Sequence, residues 1–256
     1  MPDSSFIAHL EALRRTLIKC LAAVGLACVP AYFCVPAVIE GLVKWSFPAG
    51  SSDKLYFFAP MEVFLVELKM ALTLGFLAAV PYCLWQAWGF LLPALWPAER
   101  RILRRFLALA CVLFYAGLAF SLWAVLPLAM GFSLSFASAA LAPALRLSDF
   151  LDLAQMLAVA FGVMFQFPLA VCLAVRFGLT TRRTLQSARP YVVVGILIIA
   201  AILTPPDIVS QLLLAVPTWL LFEVGLLLAR DKPKPPTEPA ETADETLAFY
   251  DKESAR

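Results

Sequence analysis

Residues 188–223 read ARPYVVVGILIIAAILTPPDIVSQLLLAVPTWLLFE, two apolar runs separated by Thr204-Pro205-Pro206-Asp207. No charge interrupts Tyr191 to Leu203, and the run from Leu212 to Leu228 carries only Glu223. Two successive prolines stop the first run, because proline has no backbone N–H and its ring clashes with the preceding turn. At 1.5 Å per residue, Tyr191 to Leu203 would reach only about 20 Å as a helix, against a hydrocarbon core of about 30 Å. The segment therefore predicts a short hairpin of two membrane helices that thins the bilayer around it.

Working outward, four longer apolar runs precede this hairpin: Leu21 to Ile39, Met70 to Leu91, Phe106 to Met130 and Leu153 to Val175. Each approaches or exceeds the roughly 20 residues that a spanning helix needs. The composition agrees: 62% of the 256 residues are hydrophobic and 15% charged, where a soluble domain carries about a quarter charged. The expected fold is thus an all-α integral membrane protein with six transmembrane helices, helices five and six being short. Prolines 30, 36, 81, 127, 168 and 217 fall in or near the spans, and they predict a curved, cup-like wall rather than a straight bundle.

Lysine and arginine set the orientation. One side collects Arg14, Arg15, Lys19, Arg100, Arg101, Arg104, Arg105, Arg176, Arg182, Arg183, Arg189, Arg230, Lys232 and Lys234; the other has only Lys44, Lys54, Lys69 and Arg146. Both termini are expected in the cytoplasm. Two larger outer connections run from about Glu40 to Glu67 and from about Gly131 to Phe150, the second apolar enough to lie on the membrane surface as a short helix. Residues 1–230 form the expected membrane domain. From Asp231 to Arg256 the chain turns to Pro, Glu, Thr and Asp, a composition that predicts a disordered cytoplasmic tail.

Several function classes are disfavoured. A net charge of +2 and the lack of a basic stripe with interleaved aromatics argue against nucleic-acid binding. The six cysteines show no CxxC spacing, so neither a metal site nor a disulfide framework is expected. There is one histidine, His9, and no HExxH, GxSxG or P-loop, so neither an enzyme nor a cofactor is expected. The first apolar run is long enough to be retained as a helix rather than cleaved as a signal.

The charges at the inner face and the polar groups within the spans are the remaining candidates. LLPALWPAERRILRRF places Glu99 after Pro97 at the start of the third helix, which is an ordinary N-terminal signature stabilised by the helix dipole. The same carboxylate, with Glu11 before the first span, could also receive a cation presented at the membrane surface; a guanidinium suits such a site because it donates two parallel hydrogen bonds to one carboxylate. Gln166, in FGVMFQFPLAV, falls near the middle of helix four. It either bonds a neighbouring helix or backbone freed by Pro168, or lines a translocation surface. Glu223 is off-centre in helix six and is expected to be paired or protonated.

Taken together, HLEALRR before helix one, APMEVF before helix two, WGFLLPALWPAERR across the first inner loop, FGVMFQFP in helix four and the hairpin with RPY, TPPD, SQ and its final Glu resemble the TatC family, the multispanning component of the twin-arginine protein translocase. The similarity runs from about Ile7 to Arg230. It implies a receptor in the bacterial cytoplasmic membrane that binds twin-arginine signal peptides. With TatA-type and TatB-type single-span partners and further copies of itself, such a receptor exports folded proteins on the proton-motive force. By resemblance, Glu99 engages the arginine pair, Phe90 falls in the same recognition loop, and Arg100 and Arg101 flank it. Gln166 takes an intramembrane polar position implicated in signal insertion and partner contact. Thr204, Asp207, Ser210 and Gln211 match the outer turn and the start of helix six, where partner spans pack, while Glu62 fits APMEVF without a defined role.

One departure stands out. Relatives commonly read HLEELR or HLxELR, whereas the second acid's place is Ala12 here. Glu11 is its neighbour, about 100° around the helix. A small-solute transporter is the main alternative, but it would be expected to show repeats or broken helices at a midplane site. A membrane-embedded enzyme would need an internal cluster of His, Asp or Glu.

Overall fold

The computed structural model describes residues 3–47, 55–91, 100–135, 144–203 and 208–229. Among them the chain runs through α1 (Asp3–Ser46), α2 (Pro60–Leu91), α3 (Arg100–Phe120), a π-helical turn (Ser121–Val125), α4 (Leu126–Leu134), α5 (Leu147–Met164), α6 (Phe167–Arg176), α7 (Arg182–Ser187), α8 (Arg189–Leu203) and α9 (Ile208–Leu228). Among the described residues, five stretches are long and apolar enough to cross a membrane: Leu10–Ser46, Pro60–Ala87, Phe106–Leu134, Leu147–Arg176 and Gln211–Leu228. Arg189–Ile202 is a shorter apolar helix. Within the hairpin the shortness sits in α8, 15 residues or ~22 Å, whereas the 21 residues of α9 reach ~32 Å.

The charged leader and the first span are one 44-residue helix, with Pro30 and Pro36 inside it. α1 packs along α2, and the closest approach falls at Gly75. A Cβ there would lie 2.5 Å from Cys28 Sγ and 2.8 Å from the Cys28 Cα and backbone N. Only a residue without a side chain lets the two backbones meet, as is common where van der Waals packing drives helix association in lipid. The third span continues this logic, since Gly117 of α3 meets the Phe161 carbonyl of α5 at 2.5 Å from its would-be Cβ.

Two spans are interrupted. The third passes through Ser121–Val125 before α4 carries it on to Leu134, so Gly131 is helical rather than the start of a loop. The fourth, expected to be continuous, breaks at Phe165-Gln166. Pro168 cannot donate to the Met164 carbonyl four residues back, and the chain tightens there: Gln166 N–H bonds Val163 O at 3.0 Å before the normal pattern resumes with Ala170 N–H on Gln166 O at 2.9 Å. α6 then ends in a Schellman motif, with Gly178 at φ 74° and Leu179 N–H on Ala174 O at 2.9 Å.

The two connections expected on the outer side are also shorter than expected, because α1 reaches Ser46 and α2 begins at Pro60. They are buckled together by a parallel bridge of Tyr56 with Arg146: Tyr56 N–H donates to Leu145 O at 3.0 Å and Leu147 N–H to Tyr56 O at 2.9 Å. Of the surface helix expected between Gly131 and Phe150, residues 136–143 lie outside the described residues, as does all of the tail from Asp231, while its two ends belong to α4 and α5. The buried core joins Val35 of α1, Leu126 of α4, Leu151, Leu157 and Phe161 of α5, and Leu214 of α9. Large apolar side chains such as Leu26, Phe33, Ile202 and Leu227 point outward, as a lipid-facing surface requires.

Candidate functional site

Gln166 sits at the break between α5 and α6, and its side chain reaches a neighbouring helix. Nε2 donates to the Ala110 carbonyl of α3 at 3.0 Å. Of the two structural options open from sequence, the interhelical bond is the one made. The break aims the amide at α3, and Phe120, Phe161 and Phe165, the last of them next to Gln166 in the chain, pack around each other with ring centroids 5.6 to 6.5 Å apart.

Glu223 is paired. Its Oε2 lies 2.8 Å from Arg189 Nη2, so the arginine of RPY, at the start of α8, neutralises the acid inside α9. The pair is partly exposed, and Arg176 at the end of α6 lies 5.8 Å over the Phe106 ring of α3. Nearby, Gly225 of α9 packs against Pro168 of α6, its would-be Cβ 2.7 Å from the proline Cα. Phe222 fills the space between Val171 and Val175. At the other end of the hairpin, Gln211 Nε2 donates to the Leu197 carbonyl at 3.1 Å, clamping α9 onto α8. Ser210 lies in α9; Thr204 and Asp207 lie outside the described residues.

Before the first span, Glu11 is exposed on α1, 3.6 Å from Arg15 one turn on. Exposed i,i+4 pairs of this kind contribute only about 0.3–0.5 kcal/mol, so the carboxylate is held loosely. Ala12 beside it is exposed as well. Phe90 lies in the last turn of α2, and Arg100 and Arg101 open α3. Glu99 lies outside the described residues.

Sequence reasoning missed a polar seam between α2 and α5. Glu62 is its hub: its side chain, 8% exposed, accepts from Phe58 N–H at 3.0 Å, Ser148 Oγ at 2.7 Å and Arg146 Nη2 at 3.2 Å. Further along, Lys69 Nζ meets Asp152 Oδ1 at 2.5 Å and Thr73 Oγ1 donates to Gln155 Oε1 at 2.7 Å. The signal was spacing: 62, 69 and 73 fall on one face of α2, and 148, 152 and 155 on one face of α5.

Known proteins place this architecture. The family model described as Sec-independent protein translocase protein (TatC) matches residues 8–217. Two curated relatives carry that same name: one from Azotobacter chroococcum is 36% identical over 227 residues, 88% of either chain, and one from Haemophilus influenzae is 37% identical over 232 residues, again 88% of either chain. A solved chain titled the crystal structure of twin arginine translocase receptor TatC superposes with a TM-score of 0.78 at 32% identity, covering 86% of this chain and 96% of the other. Helix order, the hairpin motifs and these matches agree that the chain belongs to the TatC family, a multispanning membrane component of the Sec-independent protein translocase and not an enzyme.

Proposed function

We propose that this chain is the signal receptor of a twin-arginine translocase. In this reading six segments cross the bacterial cytoplasmic membrane, α8 being the thin one, with both termini in the cytoplasm and residues 231–256 as a free tail. Glu99 receives the arginine pair of a signal peptide, assisted by Glu11 and framed by Phe90, Arg100 and Arg101. Gln166, with Thr204, Asp207, Ser210, Gln211 and Glu223, contributes to the surfaces met by the inserting signal and by TatA-type and TatB-type spans. Further copies of the chain complete the assembly, and the proton-motive force drives export of the folded cargo.

The observation that carries the proposal is the likeness to a solved chain titled a twin arginine translocase receptor, over 86% of this one. The loosely held Glu11 carboxylate supports it, because a guanidinium can replace Arg15 there at little cost. Complementation tests it. In a strain lacking its own TatC, this chain should export a folded reporter behind a twin-arginine signal, and Glu99→Gln should nearly abolish both export and crosslinking of the signal. Export that fails with the arginine pair intact, alongside uptake of a labelled small solute, would favour the transporter reading instead.

A further inference from the structure

Lys69 and Asp152 form an ion pair within two of the candidate spans, and their side chains are 57% and 47% exposed. Lys69 stands nine residues into α2, ~13 Å along the helix from Pro60. Charged groups in a span ordinarily face the bundle interior or a polar cavity. Pairing cancels their net charge but not their hydrogen-bonding capacity: an ammonium has three donors and a carboxylate about four acceptor sites, and the contact between them uses one of each.

Those spare groups open into a cavity of about 390 Å³ walled by Glu62, Lys69, Arg146, Ser148 and Asp152. Its two cations and two anions balance. A second cavity of about 590 Å³ runs on between α1 and α2, lined by Val29, Tyr32, Leu68 and Leu72 as far as Cys28. Leu65 and Lys69 wall both cavities. A polar chamber toward the outer end of α2 thus leads into an apolar trough running toward the middle of the bilayer, the layout of one lipid with its head outward and a chain inward.

We propose that the two cavities hold a single phospholipid with a zwitterionic primary-amine headgroup, of the phosphatidylethanolamine type. Its phosphate accepts from Lys69 and Arg146. Its ammonium donates to Asp152, because Glu62 is already engaged by Phe58 N–H, Ser148 and Arg146. An anionic headgroup would bring an unmatched charge into a balanced site, and a quaternary ammonium has no N–H to give Asp152.

Native mass spectrometry of the full chain in mild detergent, with palmitoyl-oleoyl phosphatidylethanolamine, phosphatidylglycerol and phosphatidylcholine added at equal concentration, tests this. The ethanolamine lipid should be retained several-fold over the other two. Leu72→Trp, which fills the trough and leaves every charge in place, should lower its retention several-fold. Asp152→Asn makes the chamber net positive and should turn the preference toward phosphatidylglycerol. Equal retention of the three lipids, a preference for the glycerol lipid in the unaltered chain, or a preference that Leu72→Trp leaves unchanged would each overturn the proposal. Leu72→Trp decides alone if Asp152→Asn does not give a monodisperse protein.

Discussion

Arg189 Nη2 and Glu223 Oε2 lie 2.8 Å apart and join the first residue of α8 to the C-terminal part of α9. The acid is only 23% exposed, and an unpaired carboxylate in such surroundings keeps its desolvation cost with nothing to offset it. Arg189→Met should therefore destabilise the hairpin more than the double variant Arg189→Met/Glu223→Met. A double-mutant cycle on detergent melting temperatures checks this; single-variant losses that simply add would show that the pair is not coupled.

Gly75 sets the distance between α1 and α2. Because its would-be Cβ meets the backbone of Cys28 and not merely the thiol, Gly75→Ala should cost about 1–3 kcal/mol, the usual range for overpacking. Cys28→Ala should fail to restore stability. Rescue by that second change, read by thermal melting, would place the clash on the sulfur alone.

The bond from Gln166 to the Ala110 carbonyl ties the broken span to α3. Gln166→Leu should lower stability by about 0.6 to 2 kcal/mol, the span of measured interhelical bonds in membranes. Gln166→Glu should cost more when ionised, since two carboxylate oxygens would then face a carbonyl oxygen. Melting temperatures of the two variants at neutral pH check the order.

Ala12→Glu should strengthen crosslinking to a twin-arginine peptide by about tenfold or more, from an added charge-assisted hydrogen bond of roughly 1.5–3 kcal/mol. Glu11→Ala should weaken it by less than Glu99→Gln does. Photo-crosslinking yield against peptide concentration separates the three.

At the start of α2, Glu62→Ala strands three donors at once: Phe58 N–H, Ser148 Oγ and Arg146. The buckle between Tyr56 and Arg146 should then open to added protease in right-side-out vesicles, with cleavage near the start of α2. Unchanged protection would show that the Tyr56 backbone bonds suffice.

Periodicity and charge were enough to place most of the spans, because a run of apolar residues leaves the backbone no choice but helix in lipid. The short reach of α8 is visible from Pro205 and Pro206, and the cost of a lone acid limits Glu223 to a paired or a protonated state. The choice between them, and the identity of the partner, are not, since Arg189 lies 34 positions away and by sequence alone serves as a marker of the inner side. Lys69 and Arg146 were hidden in the same way: counted for orientation, they are partners of Asp152 and Glu62, 83 and 84 positions distant. The break at Phe165-Gln166 depended on whether neighbours would repair the bond lost at Pro168, a question only packing answers.

The unbroken helix from Asp3 through the contact at Cys28 leaves its N-terminal end no rotary slack. Residue 12 lies sixteen positions before Cys28 and residue 11 seventeen, with both prolines of the helix beyond that point. The azimuth of each is thus geared to the Cys28–Gly75 contact, and an acid moved from 12 to 11 is re-aimed by about 100° with no hinge between to turn it back. Any peptide that Glu11 greets must approach α1 from a different quarter than one met at position 12.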